Sequence, residues 1–154
     1  GGGLEIALSC DIILAASHAS FALPEIKSGT IADAASIKLP KRIPYHIAME
    51  LLLTGRWLDA NEAHKWGFVN EIIEPENLSV RAYELANLIS SGPPLVISAI
   101  KQVVREAEDT NFQDMLNRVT KRQVETVDKL YGSEDLHEGQ LAFTEKREPK
   151  WQGK

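Results

Sequence analysis

Two glutamates near the start of the chain have surroundings that surface glutamates rarely have. Glu5 follows Gly1-Gly2-Gly3 and precedes the apolar run Ile6-Ala7-Leu8, so we predict that it lies in the first turn of a helix. A helix N-terminus leaves backbone N–H groups without acceptors and carries the positive end of the helix dipole. Glycines there let a ligand approach the backbone closely. The segment therefore predicts an oxyanion hole, a set of donors for an oxygen that gains negative charge, with a carboxylate close by.

The second glutamate, Glu25, ends the stretch of residues 20–24, which is typical of a short strand closed by a proline. We predict a buried strand over residues 11–16, between the helix and this stretch. Helix, strand, turn and strand would then fold Glu25 back towards Glu5. Two carboxylates that converge beside an oxyanion donor form an arrangement for proton transfer next to a carbonyl.

Each glutamate also has an interpretation without chemistry. The helix dipole alone favours a glutamate in the first helical turn, and a glutamate after a proline is common at strand ends. Three glycines in a row are a weak signal by themselves. The residues alone leave both interpretations open.

The composition favours one globular unit and excludes several functions. The 154 residues are 44% apolar and 25% charged, which suits a soluble protein with a substantial core. A net charge of −5 argues against general nucleic-acid binding and against a basic membrane-binding face. The sequence contains no signal-like segment and no apolar run of membrane-spanning length. The sequence has one cysteine, Cys10, which fits a reducing compartment, so we expect a cytoplasmic protein. We predict that Cys10 is buried in a helix.

The two glutamate segments resemble motifs of the crotonase (enoyl-CoA hydratase/isomerase) superfamily. Its members carry Gly-Gly-Gly-x-Glu and, further on, Phe-x-x-Pro-Glu, which match residues 1–5 and 21–25. The resemblance continues in the family's order through residues 53–55, 63–69, 133–135, 138–139 and 142–149. Within the superfamily, residues 21–25, 39–41 and 149–153 most resemble the carnitinyl-CoA (crotonobetainyl-CoA) dehydratases.

The resemblance implies an α/β fold, the crotonase (ClpP-like) ββα spiral. Residues 1–74 would form the C-terminal half of the spiral core with the active-site residues. Residues 75–154 would form a helical region for trimerisation and contact with CoA. Residue 1 corresponds to a position near the middle of a crotonase, so we expect the first half of the spiral and much of the CoA cleft to lie outside this sequence.

The activity that the resemblance implies is hydration of an enoyl-CoA thioester or the reverse dehydration. Glu5 and Glu25 would be catalytic, and the Gly2 N–H would be one donor of the oxyanion hole. The presence of both carboxylates favours this reaction over the family's isomerases. Neither a metal nor a redox cofactor is expected, and coenzyme A enters only as part of the substrate. Two alternatives stay open: another crotonase-type isomerisation, hydrolysis or C–C cleavage of an acyl-CoA, and a non-catalytic oligomeric interaction protein.

The segment after Glu25 departs from the family pattern. Most members have a glycine-rich loop here, whereas this chain has no glycine between Gly29 and Gly55. Because alanine reaches a positive φ only at a cost, we predict a more helical and more rigid segment over residues 32–39. Asp33 is either a helix N-cap or a polar group that faces the substrate.

The C-terminal tail, residues 143–151, mixes aromatic and cationic side chains. One interpretation is a solvated helix end, where Lys and Arg complement the dipole. The other is stacking on an adenine and pairing with phosphates. By resemblance, Phe143 and Lys146 match positions that crotonases direct at the nucleotide.

The rest of the chain is predicted to be mostly helical. One helix starts at Pro44 and ends at Gly55. The next starts with a capping box of Asp59 and Glu62 and runs to Gly67. A strand over residues 68–73 and a helix over residues 75–90 follow. Residues 92–94 start the next helix, and a long helix then runs from Phe112 through Tyr131. A last helix is capped by Ser133. Apolar stripes on these helices indicate core or subunit contact, and the resemblance implies a homotrimer or a dimer of trimers.

Overall fold

The computed structural model describes residues 1–154, and the chain forms two compact units, Gly1–Glu84 and Leu85–Lys154. The boundary falls within a helix, later in the chain than residue 74. The division into a core of residues 1–74 and a helical region of 75–154 stays a prediction.

The first unit combines short strands with helices. Two strand pairs form: β1 (Leu14–Ala16) pairs with β4 (Glu71–Ile73) in parallel, and β2 (Ser20–Phe21) pairs with β3 (Leu58–Asp59) antiparallel. The helices are α1 (Gly2–Ala7), α2 (Asp33–Arg42), α3 (Tyr45–Thr54) and α4 (Ala60–Trp66), and α5 (Leu78–Ser90) begins here and continues into the second unit. Two 3-10 helices occupy Pro24–Ser28 and Pro75–Asn77.

Helix α3 ends, and helix α4 begins and ends, where the sequence predicts. Gly55 follows α3 with φ of 57°, and Gly67 follows α4 with φ of 90°, both in the left-handed region that favours glycine. The Asp59 carboxylate accepts a 2.8 Å hydrogen bond from the Glu62 N–H at the start of α4. The Glu62 side chain instead binds Arg56, so the predicted capping box is only half formed.

One apolar core holds the first unit together. Its most deeply buried members come from α2, α3, α4 and the loop after β2 and include Leu23, Ala35, Leu39, Ala48 and Ala63. Alanines and leucines make up most of this core. Leu4 of α1, Leu23 just before the first 3-10 helix and Leu39 of α2 all bury their side chains in it.

The predicted strand over residues 11–16 is shorter than expected, because β1 starts at Leu14. The Ile13 N–H donates instead to the Asn70 side chain at 2.9 Å. The prediction of a buried, helical Cys10 is wrong. Helix α1 ends at Ala7, and Cys10 lies exposed in the turn that follows, with its Sγ 3.6 Å from the Ile6 carbonyl oxygen.

The second unit is helical, with α6 (Pro94–Ala107), α7 (Phe112–Thr120), α8 (Glu125–Tyr131) and α9 (Glu134–Glu145). The predicted continuous helix from Phe112 to Tyr131 is wrong, since α7 and α8 are separate. Arg122 interrupts it with φ of 55°, a conformation that a non-glycine residue rarely adopts. The break lets Val124, 1% exposed, enter a core with Ala99, Met115 and Val127.

The last eight residues return along α9 and are tied to it. The Asp135 carboxylate accepts hydrogen bonds from the N–H groups of Gln152 at 2.7 Å and Gly153 at 2.8 Å. The Lys154 carbonyl accepts from the N–H groups of Glu134 and Asp135 at the start of α9. The predicted cap of this helix is confirmed, since the Ser133 Oγ accepts from the Leu136 N–H at 3.2 Å. None of the helices has both the length and the apolar character needed to cross a membrane.

Candidate active site

Glu25 lies in the first turn of the 3-10 helix Pro24–Ser28 rather than at a strand end, because β2 already stops at Phe21. Its side chain is 21% exposed, and its Oε1 lies 3.5 Å from the backbone nitrogen of Gly1. Its Oε2 is buried and has no hydrogen-bond partner within this chain. A buried carboxylate oxygen without a partner is costly to a fold, so this one needs an explanation beyond stability.

Glu5 lies in the first turn of α1, as the sequence predicts. Its Oε1 accepts a 3.0 Å hydrogen bond from the Ala35 N–H, one of the first donors of α2 that have no acceptor inside their own helix. Glu5 therefore anchors the start of α2 with one oxygen.

The structure brings the two glutamates to the same end of α1. Gly1 caps this helix, its carbonyl accepts the Glu5 N–H at 3.3 Å, and its nitrogen lies beside the Glu25 carboxylate. Contacts between the 3-10 helix Pro24–Ser28 and α3 hold Glu25 in this place, although its local structure differs from the predicted strand end.

Gly2 and Gly3 are the first two helical residues of α1, so their N–H groups have no acceptor within the helix. Both residues are exposed, and a Cβ built on either would meet no heavy atom within 4 Å. Packing within this chain therefore does not require glycine at these positions. Their N–H groups can donate to a ligand oxygen next to Glu25 and Glu5.

Asp33 is the first residue of α2, and its side chain is exposed. Ala32 occupies the N-cap position, and no side chain caps this helix start. The N-cap interpretation of Asp33 is therefore wrong by one residue. Asp33 stands two residues before Ala35, the hydrogen-bond partner of Glu5, at the start of α2. Its contact with a substrate stays a prediction.

Phe143 and Lys146 lie in the second unit, at the end of α9. The Phe143 side chain is 87% exposed, and Lys146 ends the helix in the left-handed region with φ of 54°. Phe143 also borders an apolar groove of about 350 Å³, whose other walls include Pro93, Leu136 and Trp151. Their role at the nucleotide stays a prediction.

Ser28 and Thr30 support Glu25, and the sequence did not predict this role for them. The Glu25 carbonyl accepts hydrogen bonds from the Ser28 hydroxyl at 3.1 Å, the Thr30 N–H at 3.1 Å and the Thr30 hydroxyl at 3.3 Å. Ser and Thr shortly after a proline-led turn are a signal for such bonds. These bonds fix the backbone from which the Glu25 carboxylate extends.

Carboxylates with strongly shifted pKa values lie elsewhere in the chain. The hydrogen bond from Arg56 lowers the pKa of Glu62 to about 2. The hydrogen bonds from Arg147 and from the Lys150 N–H lower the pKa of Glu138 to about 2. Both carboxylates form ion pairs with arginines that join structural elements.

Comparison with known proteins shows the family to which the chain is similar. The family model described as enoyl-CoA hydratase/isomerase matches residues 1–154. A carnitinyl-CoA dehydratase from Salmonella arizonae is 40% identical over 154 residues, and one from Proteus mirabilis is 38% identical over 155 residues. The alignments cover 99% and 100% of this chain and 59% of each relative.

Solved structures show the same similarity. An enoyl-CoA hydratase from Mycobacterium marinum superposes with a TM-score of 0.90 at 39% identity, covering 99% of this chain and 60% of that one. An enoyl-CoA hydratase subunit from Geobacillus kaustophilus superposes with a TM-score of 0.92 at 39% identity, covering 100% of this chain and 59% of that one.

The chain belongs to the enoyl-CoA hydratase/isomerase family, the crotonases. The predicted fold class is confirmed, and the chain spans 59% of the length of the curated relatives that it matches.

Proposed function

We propose that the intact protein carrying this chain catalyses the reversible addition of water across the α,β double bond of an acyl-CoA thioester. The observation that carries the proposal is the placement of Glu5 and Glu25 at the N-terminal end of α1, with the Glu25 Oε2 buried and unpartnered. A carboxylate oxygen with free acceptor capacity in a partly buried site suits a group that exchanges a proton with water or substrate.

The two carboxylates divide the proton transfers. In the hydration direction, one takes a proton from the attacking water and the other supplies the proton that the α-carbon gains. Dehydration reverses both transfers, so each group acts as acid in one direction and as base in the other. The Glu5 oxygen that accepts the Ala35 N–H holds this side chain in place, which leaves its second oxygen for chemistry.

The Gly2 N–H supplies one donor for the thioester oxygen. As water adds at the β-carbon, negative charge develops on this oxygen in an enolate-like state, and donors placed in advance stabilise that charge. A second N–H would come from a part of the protein outside this chain. Removal of one such donor typically costs a factor of about 10² to 10³ in kcat.

The proposal extends to the substrate and to the assembly. The relatives are named carnitinyl-CoA dehydratases, which makes carnitinyl-CoA and crotonobetainyl-CoA the first substrates to test. Asp33 is the candidate partner for a trimethylammonium group, because a carboxylate attracts a cation. Phe143 and Lys146 are the candidate contacts of the CoA nucleotide.

A homotrimer or a dimer of trimers in the cytoplasm is the expected form. Exposed apolar side chains on α6 and α7, among them Ile100, Val104 and Phe112, support assembly. The proposed reaction is acid–base chemistry on a CoA thioester, for which neither a metal nor a redox cofactor is expected.

The test is thioester absorbance on the intact protein with crotonyl-CoA and crotonobetainyl-CoA side by side. Wild type is compared with Glu5→Gln and Glu25→Gln. Turnover of either substrate, with a loss of several powers of ten in both variants, supports the two-carboxylate mechanism, and the faster substrate identifies the acyl group.

Other outcomes contradict the proposal in distinguishable ways. Binding of both thioesters without hydration points to another crotonase reaction, such as isomerisation or hydrolysis. Absence of binding points to a non-catalytic assembly protein on a crotonase frame.

A further inference from the structure

Gly55 ends α3 directly against the turn that carries Glu25. It is buried and adopts φ of 57°. A Cβ built on it would lie 3.1 Å from Ile26 Cγ2, 3.2 Å from Pro24 Cα and 3.3 Å from the Leu23 carbonyl oxygen. Two of these three atoms belong to the backbone, so they cannot rotate away as the end of a long side chain can. Any side chain at this position would push the segment that leads into Glu25.

The turn is not free to absorb that push. Within the turn, the Glu25 carbonyl accepts hydrogen bonds from the Ser28 hydroxyl and from both the N–H and the hydroxyl of Thr30, which stiffen it. Leu23, at 2% exposure, holds the start of the turn in the core of the first unit. A displacement at Pro24 is therefore passed on to Glu25 by a turn that moves as a unit.

The end of α3 cannot retreat either. Arg56, the next residue, binds Glu50 of α3 at 2.9 Å and Glu62 of α4 at 2.6 Å. The Thr54 hydroxyl donates to the Glu50 carbonyl at 2.7 Å. These bonds fix the backbone on both sides of Gly55 to two helices.

We propose that Gly55 is a positioning residue for the Glu25 carboxylate. The inference rests on the proposed function, in which Glu25 transfers a proton. Absence of a side chain at position 55 sets how closely α3 approaches the turn, and this distance sets where the carboxylate lies relative to the N-terminal end of α1. Gly55 does not touch the reacting atoms and acts only through the turn.

The test compares Gly55→Ala with Gly67→Ala in the intact protein. Gly67 is a matched control, because it also follows a helix with a positive φ, but a Cβ built on it would meet no heavy atom within 4 Å. Both variants carry the same kind of backbone strain, and only Gly55→Ala pushes the Glu25 turn. Misplacement of a catalytic group by about 1 Å can lower the rate by a factor of about 100. We therefore expect a shift of the Glu25 carboxylate by a few tenths of an ångström to lower kcat about tenfold.

The expected result for Gly55→Ala is this fall in kcat with KM changed less than about twofold, while Gly67→Ala keeps both constants within about twofold. A purely structural role would not separate kcat from KM in this way. Equal losses in the two variants would overturn the proposal, because strain alone would then explain them.

A second readout does not depend on turnover. The 13C carboxyl resonance of Glu25, assigned with Glu25→Gln, should move in Gly55→Ala and stay in place in Gly67→Ala. If the wild type hydrates no enoyl-CoA, the proposed function fails and this resonance still decides the positioning role. An unmoved resonance in Gly55→Ala overturns the inference.

A milder variant covers the case in which Gly55→Ala does not fold. Thr30→Val removes the hydroxyl bond to the Glu25 carbonyl and keeps the N–H bond. The account expects a displaced Glu25 resonance for this variant as well. A resonance identical to that of the wild type would show that the turn does not control the carboxylate.

Discussion

Glu5 and Glu25 of the first unit have surroundings opposite to those of Asp135 and Glu138 in the second unit. In the first unit, the Glu25 Oε2 has no partner and Glu5 accepts one backbone N–H. In the second unit, Asp135 accepts two backbone N–H groups, and Glu138 accepts two hydrogen bonds from Arg147 and one from the Lys150 N–H. A carboxylate whose oxygens are filled by donors stabilises the fold. One with free acceptor capacity beside backbone donors is available for chemistry.

The contrast supports the catalytic roles proposed for Glu5 and Glu25. A strong pKa shift alone would select Glu62 and Glu138, whose pKa values are lowered to about 2 by neighbouring arginines. Both are ion pairs between elements. The unsatisfied oxygen of Glu25 is the better marker here, since proteins rarely leave such an atom buried without a function.

The largest predicted effect concerns Glu5. Glu5→Gln should lower kcat/KM by a factor of about 10² to 10⁴, because the amide cannot transfer the proton. Its carbonyl oxygen can still accept the Ala35 N–H, so the free energy of unfolding should change little. Steady-state kinetics and denaturant unfolding measure the two quantities.

Glu5→Ala provides the matched comparison. It removes the same proton transfer and also the bond to Ala35, so it should lower the free energy of unfolding by about 1 kcal/mol beyond the effect of Glu5→Gln. Equal stability of the two variants would show that the Ala35 bond does not hold α2.

The next effect is a loss of stability when Asp135 is replaced. Asp135→Ala leaves the N–H groups of Gln152 and Gly153 without their acceptor, and it should lower the free energy of unfolding by about 2–4 kcal/mol. Denaturant unfolding measures the loss. Asp128→Ala, on an exposed position of α8, is the control and should change stability by less than about 0.5 kcal/mol. A loss no larger than that of the control would contradict the anchoring role of Asp135.

A smaller effect concerns Gly139, where a Cβ would lie 3.2 Å and 3.4 Å from two ring atoms of Trp151. Alanine favours a helix by about 1 kcal/mol over glycine, and the contact with the ring opposes that gain. Gly139→Ala should therefore destabilise the wild type but stabilise the Trp151→Ala variant, with a coupling of about 1–2 kcal/mol. A double-mutant cycle of unfolding free energies measures it, and additive effects would refute the contact.

The smallest effect is a pH dependence at Glu138. Its pKa is lowered in the folded state from 4.5 to about 2, so its contribution to stability is present above pH 4.5 and is lost as the pH falls towards about 2. Arg147→Gln should raise this pKa towards 4.5 and move the loss to higher pH. A 13C carboxyl titration measures the shift, and Glu62, which pairs with Arg56, is the internal control that should not move.

Features set by neighbouring residues were predictable from the sequence. Gly55, Asp59 and Ser133 mark helix ends through their own conformation or side chain, and the structure has them there. The first-turn position of Glu5 follows from the glycines and the apolar run around it.

Features set by tertiary contact were not predictable. The break at Arg122 depends on burial of Val124, and nothing local favours a positive φ at an arginine. The bond from Ala35 to Glu5 joins residues far apart in sequence, as does the contact of Gly55 with Pro24. The N-cap interpretation of Asp33 was wrong by one residue, because Ala32 occupies the N-cap position without a capping side chain.

The most direct test of the account is the turnover of crotonyl-CoA by intact wild-type protein and by Glu25→Gln, with the melting temperature measured in the same buffer. Because the Glu25 Oε2 makes no hydrogen bond in the fold and its burial is costly, the account predicts a loss of activity by a factor of about 10² to 10⁴ at a melting temperature that is not lowered. Full activity in Glu25→Gln, or a loss that follows a lowered melting temperature, would contradict it.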